Sequence, residues 1–420
     1  MTEPIPSPPT PFSPLRRFPV RLGGLYIALF ILSRPADVLP LGAAWNPWPA
    51  AFWDPFLSWL GHAGLGLAPE LLRRGAGGSG DTTYLYVHLL GLALLALLGA
   101  LAWSIRDRVR TRGGDLTRPF ISGLALVVGA TTLSTGLAKV FHVPQGISPL
   151  VRTLTPYGQS SPMGLAQTYL DYSHVFSIFL GSGEVVGGLL LFFRRTRTLG
   201  ALVLLAAMGN VAMLSLFYDM PFKIFSLHYF AFVVILLSRD LRRLTAFALQ
   251  RTAPAIDLDP LFRNPRFEGW GRTAKLAFLG LMVLVQVGSA LQARQAAEVR
   301  SPLYGIYDVE AFSIDGEDRP PLLSDDQRWH VVVMDSPDQV IVQKMDQTFE
   351  TYGSTLEPGE GAMTLLGPDG ETSARWALER PSPDVLILAG ELEGRMLRVV
   401  TRARDLEDFS PVGHKFYWVF

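Results

Sequence analysis

Apolar residues run almost unbroken over Tyr84 to Ile105, Phe120 to Phe141, Ser173 to Phe193, Leu199 to Tyr218 and Ala274 to Leu291. A bilayer core about 30 Å thick asks for about 20 such residues per helix, so each stretch is expected to cross. Two weaker segments are Leu22 to Leu39, which contains Arg34, Pro35 and Asp37, and the short Ile224 to Leu237. Together they predict a membrane all-α helical bundle of about seven spans over residues 22–292, after a polar, proline-rich tail at 1–21. The tail shows no cleavable leader pattern, so the first helix is expected to be retained. From residue 301 the period changes. The runs GIYDVEAFSI, RWHVVVM, QVIVQKM, AMTLLG, ARWALE, DVLILAG, MLRVVTRA and KFYWVF are short, rich in β-branched and aromatic residues, and separated by turn signals such as DSPD and GPDGE. They predict a small antiparallel β-barrel or sandwich over 301–420, with Trp329, Trp376 and Trp418 in its core or lid.

Charge adds an orientation. The 37 basic and 37 acidic side chains cancel in sum, yet residues 301–420 carry 22 acidic and 10 basic, a net of −12, leaving 27 basic and 15 acidic before them. Loops on one side of the expected spans hold 19 Arg and Lys, and loops on the other hold only Arg73, Arg74, Arg152 and Lys223. The positive-inside rule then predicts a multi-pass protein of the cell (inner) membrane, with a cytoplasmic N-terminus and residues 301–420 outside. The stretch holding Trp45, Trp48, Trp53 and Trp59 falls in an outer loop, where indoles anchor at the headgroup layer. With no cysteine, disulfides, thiolate metal sites and cysteine nucleophiles are excluded. His330 and His414 lie in separate runs without ligand spacing, so no metal site is expected, and neither is a nucleic-acid partner.

Within the bundle, the stretch GSGEVVGGLLLFFRR puts one carboxylate, Glu184, among four glycines. Ionised at the bilayer centre it costs on the order of 3 kcal/mol, so it should face protein or trapped water. Gly181, Gly187 and Gly188 share its helical face and allow a neighbouring backbone to come close. Counted along the axis, Glu184 lies about 13 Å and Asn210 about 17 Å from the same membrane face, so a hydrogen bond across that helix pair is expected. Toward the outer end gather Thr132, Thr135 and Lys139 on one face, then His142, Asp171, His174, Tyr218, Asp219, Lys223 and His228. An outward pocket is expected in which Glu184, Lys139, His142, His174 and His228 do acid–base work while Asn210, Tyr218, Asp219 and Lys223 line a ligand site. The plainer readings are that Glu184 is polar glue between helices and that Lys139 and Lys223 snorkel to the interface.

The segments STGLAKVF and GSGEVVGGLLLFFRRTRTLGALVLLAAMGNVAMLSLF resemble the DoxX-like membrane proteins, which pair a glycine–x–lysine helix end with a glutamate–x–x–glycine helix and a basic turn. The likeness covers roughly 118–245 and points at Gly136, Lys139, Gly183, Glu184, Gly187 and Gly188. It implies a quinone-linked, redox-associated membrane subunit, with quinone as the expected cofactor. More distantly, a polar bundle with an exterior β domain looks like the vitamin K-dependent carboxylase group. The alternative expectation is a non-enzymatic scaffold whose exterior domain binds an envelope protein or a lipid-like ligand.

Overall fold

The computed structural model describes residues 14–33, 47–73, 80–109, 117–143, 148–252, 265–357, 361–367 and 373–409. They form two compact units, one drawn from Met1–Phe141 and Val175–Ala290, the other from His142–His174 and Leu291–Phe420. The helices are α1 (Pro14–Leu32), α2 (Pro47–Trp59), α3 (Thr83–Val109), α4 (Thr117–Val140), α5 (Pro149–Leu154), α6 (Pro162–Tyr172), α7 (His174–Leu191), α8 (Arg197–Phe217), α9 (Lys223–Ser238), α10 (Leu241–Ala248) and α11 (Pro265–Glu298).

Five of them are long and apolar enough to cross a membrane: Thr83–Arg106, Phe120–Val140, His174–Leu191, Arg197–Phe217 and Gly269–Glu298. The seven expected spans are therefore not all found among the described residues. Helix α9 is 16 residues long and bends by 68° into α10, making a sixth span only if the pair counts as one. The first candidate supplies only the apolar stretch Phe18–Leu32, and Arg34, Pro35 and Asp37 lie outside the described residues. Inside the unit α1 packs on α3, α8 on α9 and α4 on α9, around Leu92, Leu124, Val128, Leu204 and Val233. Outward, Leu98, Phe179 and Leu284 stay exposed; helices apolar on their outer faces suit lipid as solvent. In α2, Trp53 is buried against His88 at 4.6 Å between ring centroids while Trp59 stays exposed; Trp45 lies outside the described residues.

The second unit is built on β1 (Gly305–Ile314), β2 (Glu317–Asp318), β3 (Trp329–Met334), β4 (Gln339–Lys344), β5 (Phe349–Glu357), β6 (Ala362–Leu366), β7 (Ser373–Ser382), β8 (Val385–Leu392) and β9 (Arg395–Ala403). Neighbours pair antiparallel in the order β2-β1-β3-β4-β5-β6-β7-β8-β9, and β1 also pairs with β9. That last pairing closes β1 and β3 to β9 into an eight-stranded barrel and leaves β2 as a short flap on β1, so of barrel and sandwich the barrel is the one formed. Closure removes the exposed sheet edges. Alternation sorts the side chains: Tyr307, Val309, Phe312, Val332, Val342, Leu388 and Val399 fill the inside. Trp329 and Trp376 stack there with centroids 5.7 Å apart. Gly390 lies under the indole, where a Cβ would come 2.5 Å from Trp376 Cγ. Arg328, also buried, donates to the carbonyls of Arg319, Trp329 and Val309, and burial pushes its pKa down. On the outer face, Ile306, Val331, Val333 and Ile341 are covered by Leu150 and Val151 of α5, so the segment before α7 belongs to the barrel unit. The run KFYWVF, with Trp418, and His414 just before it lie outside the described residues. The eighth barrel strand is β5, which the sequence reading did not pick out.

Candidate functional site

The site grows from two helical faces. On α4 the spacing of Thr132, Thr135 and Lys139 aligns them, and on α7 the spacing of Gly181, Glu184 and Gly188 does the same. These faces meet. A Cβ on Gly181 would lie 2.5 Å from the Gly136 carbonyl oxygen, one on Gly136 would lie 2.8 Å from that of Gly181, and one on Gly188 would lie 2.8 Å from that of Gly129. Only glycine lets the two backbones come this close, as small residues do wherever helices pack in lipid. Into the contact Lys139 Nζ donates to Glu184 Oε1, and Thr135 Oγ1 donates to Glu184 Oε2 at 2.7 Å. Ser177 Oγ donates to the Lys139 carbonyl at 3.0 Å, and Thr132 turns its hydroxyl back onto Val128. The carboxylate is 2% exposed and the lysine side chain 27%. Both glutamate oxygens are engaged, the condition under which a buried ion pair is tolerated. Removing one partner of such a pair costs about 3–5 kcal/mol.

Asn210 is not Glu184's partner. It sits exposed on α8, which meets α7 through other glycines: a Cβ on Gly187 would strike Leu204, and one on Gly200 would lie 2.7 Å from the Gly187 carbonyl oxygen. The remaining candidates separate into sets of their own. His228 packs in the bundle: its ring stacks on Phe30 at 4.4 Å, Nδ1 donates to the Ile224 carbonyl at 2.6 Å, and Nε2 accepts from Tyr26 Oη at 2.8 Å. Lys223 pairs with Asp219 at 2.6 Å and faces Asp81 at 3.9 Å, while Tyr218 caps α8 half-exposed. His142 and His174 stack 3.7 Å apart in the barrel unit, beside an Arg152–Asp171 pair at 2.7 Å. Burial first, then the neighbouring His174, pushes the His142 imidazole below its ordinary value, with Asp171 pulling the other way. Within the bundle, His228, the Lys223–Asp219 pair and the Lys139–Glu184 pair thus each have partners of their own.

Two residues escaped the sequence reading. Asp81 accepts from the backbone N–H groups of Lys223 and Ile224 at 2.8 and 3.1 Å, capping α9 from 142 positions away. Its place just ahead of α3 marks it as a cap, but of the wrong helix. Gln286 on α11 donates to the Ala130 carbonyl at 3.1 Å, a polar contact that an apolar span of 30 residues disguises.

Fold and site define a class: a multi-helix bundle apolar enough for a membrane, with a glycine-walled Lys139–Glu184 pair, joined in one chain to a closed antiparallel β-barrel. The chain is 30% identical over 109 residues to the uncharacterized protein YwoB of Bacillus subtilis (strain 168), a match spanning 26% of this chain and 68% of that protein. It belongs to the family of that protein. No protein-family model and no solved structure matches the chain.

Proposed function

We propose that this protein is a membrane-anchored scaffold whose barrel, held outside the membrane, binds an envelope partner or a lipid-like ligand. The observation that carries this reading is how Glu184 is used. Both of its oxygens are consumed by α4, and the backbone contact is closed by Gly136, Gly181 and Gly188. The pair works as a clamp between two helices. A second reading, the DoxX-like quinone-linked subunit, keeps one supporting observation: the Lys139 ammonium is partly exposed beside a buried carboxylate. It is the group to donate a hydrogen bond to a quinone oxygen.

Glu184→Gln and Glu184→Leu separate the readings. For a clamp, glutamine Oε1 still accepts from Lys139 while its amide N–H group donates to Thr135 Oγ1, so the purified protein loses less stability than with leucine and keeps its extractable lipid and quinone. Leucine strands both donors and costs about 3–5 kcal/mol. For a redox subunit, Glu184→Gln leaves the fold standing but empties bound quinone or abolishes a pH-dependent turnover step, and that result overturns the scaffold. The orientation proposed with it, N-terminus in the cytoplasm and barrel in the extracytoplasmic space, rests on the 19 to 4 asymmetry of basic residues counted over the seven crossings expected from sequence. A phosphatase fused after Phe420 should be active and a cytoplasm-dependent reporter silent; the opposite pattern reverses the topology.

A further inference from the structure

At the end of the bundle away from Lys139, the starts of α4 and α8 and the join of α9 with α10 line a half-open pocket of about 110 Å³. That is several times the about 10–15 Å³ one water needs. Arg118, Arg194, Arg197, Arg239 and Arg243 line it, with Asp240 the one acidic residue among the described lining residues. Asp240 is already engaged: it accepts from Thr198 Oγ1 at 2.6 Å and from Arg243 Nη1 at 2.9 Å. Arg197 Nε is buried and finds no acceptor among the described residues. Ile121 and Leu236 supply an apolar wall beside the cations, and Ser122 adds a hydroxyl.

Guanidinium forks match the oxygens of a phosphate two at a time. We propose that this cavity binds a phosphate group, with the headgroup of an anionic phospholipid as occupant. The apolar wall and the position at the helix ends, where a leaflet's headgroups lie, favour the lipid over free phosphate; basic pockets between spans hold such headgroups. Arg197 completes its hydrogen bonding on the phosphate, while Arg118 and Arg239, both exposed, reach it from the rim.

The full-length protein in phosphatidylcholine nanodiscs tests this, titrated in separate arms with phosphatidylglycerol, cardiolipin and inorganic phosphate, and read by thermal unfolding and by lipid retention in native mass spectrometry. Phosphatidylglycerol or cardiolipin is expected to raise the unfolding temperature and to remain bound, while inorganic phosphate at millimolar concentration does neither. Arg197→Gln should weaken retention roughly tenfold, the value of one charge-assisted contact. Arg239→Gln, at the exposed rim, gives the same direction if Arg197→Gln fails to fold. Arg242→Gln, exposed on α10 and outside the cavity lining, is the control and should leave binding unchanged. Protection by inorganic phosphate alone overturns the lipid as occupant. Equal losses in Arg242→Gln and the cavity variants, or no response to any arm, overturn the site.

Discussion

Gly181 and Gly183 stand two residues apart on α7, yet alanine should act on them in opposite senses. A Cβ at Gly183 meets nothing within 4 Å. At Gly181 it would lie 2.5 Å from the Gly136 carbonyl oxygen, 2.9 Å from Lys139 Cβ and 2.9 Å from the Val140 nitrogen. Two of those atoms are backbone, so relief comes only by moving α4 away from α7. Both substitutions gain the same helix propensity, about 1 kcal/mol, which cancels in their difference. What remains is the overpacking penalty at Gly181, about 1–3 kcal/mol. Because the new methyl presses on Lys139, it also loosens the bond to Glu184. Reversible unfolding of the two variants in one detergent, titrated with a denaturing surfactant, measures the difference directly. Gly183→Ala should match or exceed the unmodified protein, and Gly181→Ala should fall below it. Gly136→Ala closes the same contact from the other side, so combining it with Gly181→Ala should cost less than the two single losses added. Equal stability of Gly181→Ala and Gly183→Ala would refute the close approach of the helices and with it the clamp.

Two further expectations concern the barrel unit. His142 takes its proton at a lower pH folded than unfolded, so the unfolded chain protonates first as pH falls through about 6.5; stability held by the His142–His174 stack is intact at neutral pH and is lost toward the lower folded value. Protection factors for hydrogen exchange over residues 148–174 should therefore fall between pH 7.5 and 5.5, less so in His142→Asn, which keeps the left-handed backbone at φ 50°; unchanged protection across that range would contradict it. Residues 301–420 expressed alone should give a mainly β circular dichroism spectrum, yet self-associate, because removing α5 uncovers Ile306, Val331, Val333 and Ile341; a helical or disordered spectrum would reject the barrel.

How much of this was legible in the sequence follows from which interactions are local. Strand periodicity is local, so β1 was readable from GIYDVEAFSI, residue for residue. Strand β5, FETYGSTLE, was not: its Glu350, Gly353 and Ser354 read as turn and solvent, and only pairing with β4 on one side and β6 on the other makes it a strand. Barrel closure is not local either. It needs Tyr307 opposite Ala403 across most of the domain, and no short pattern encodes that. The same holds for α5, six residues whose apolar pair matters only because outward-facing barrel residues receive it.

Glu184 separates two coordinates of a helix. Depth along the axis follows from counting residues, and on depth alone Asn210 of the adjacent antiparallel helix was a fair partner. Direction around the axis decides otherwise. At about 100° per residue Gly181, Glu184 and Gly188 fall within one narrow sector, and Gly187 falls to its side. The first sector takes α4 at a separation only glycine permits, and Gly187 takes Leu204 of α8. The glutamate therefore shares a face with the closest backbone contact, and what lies opposite is the equally aligned Thr135 and Lys139. A carboxylate in such a sector is satisfied by whichever helix its glycines admit. The glycine spacing around a buried charge, more than its depth, thus names its partner.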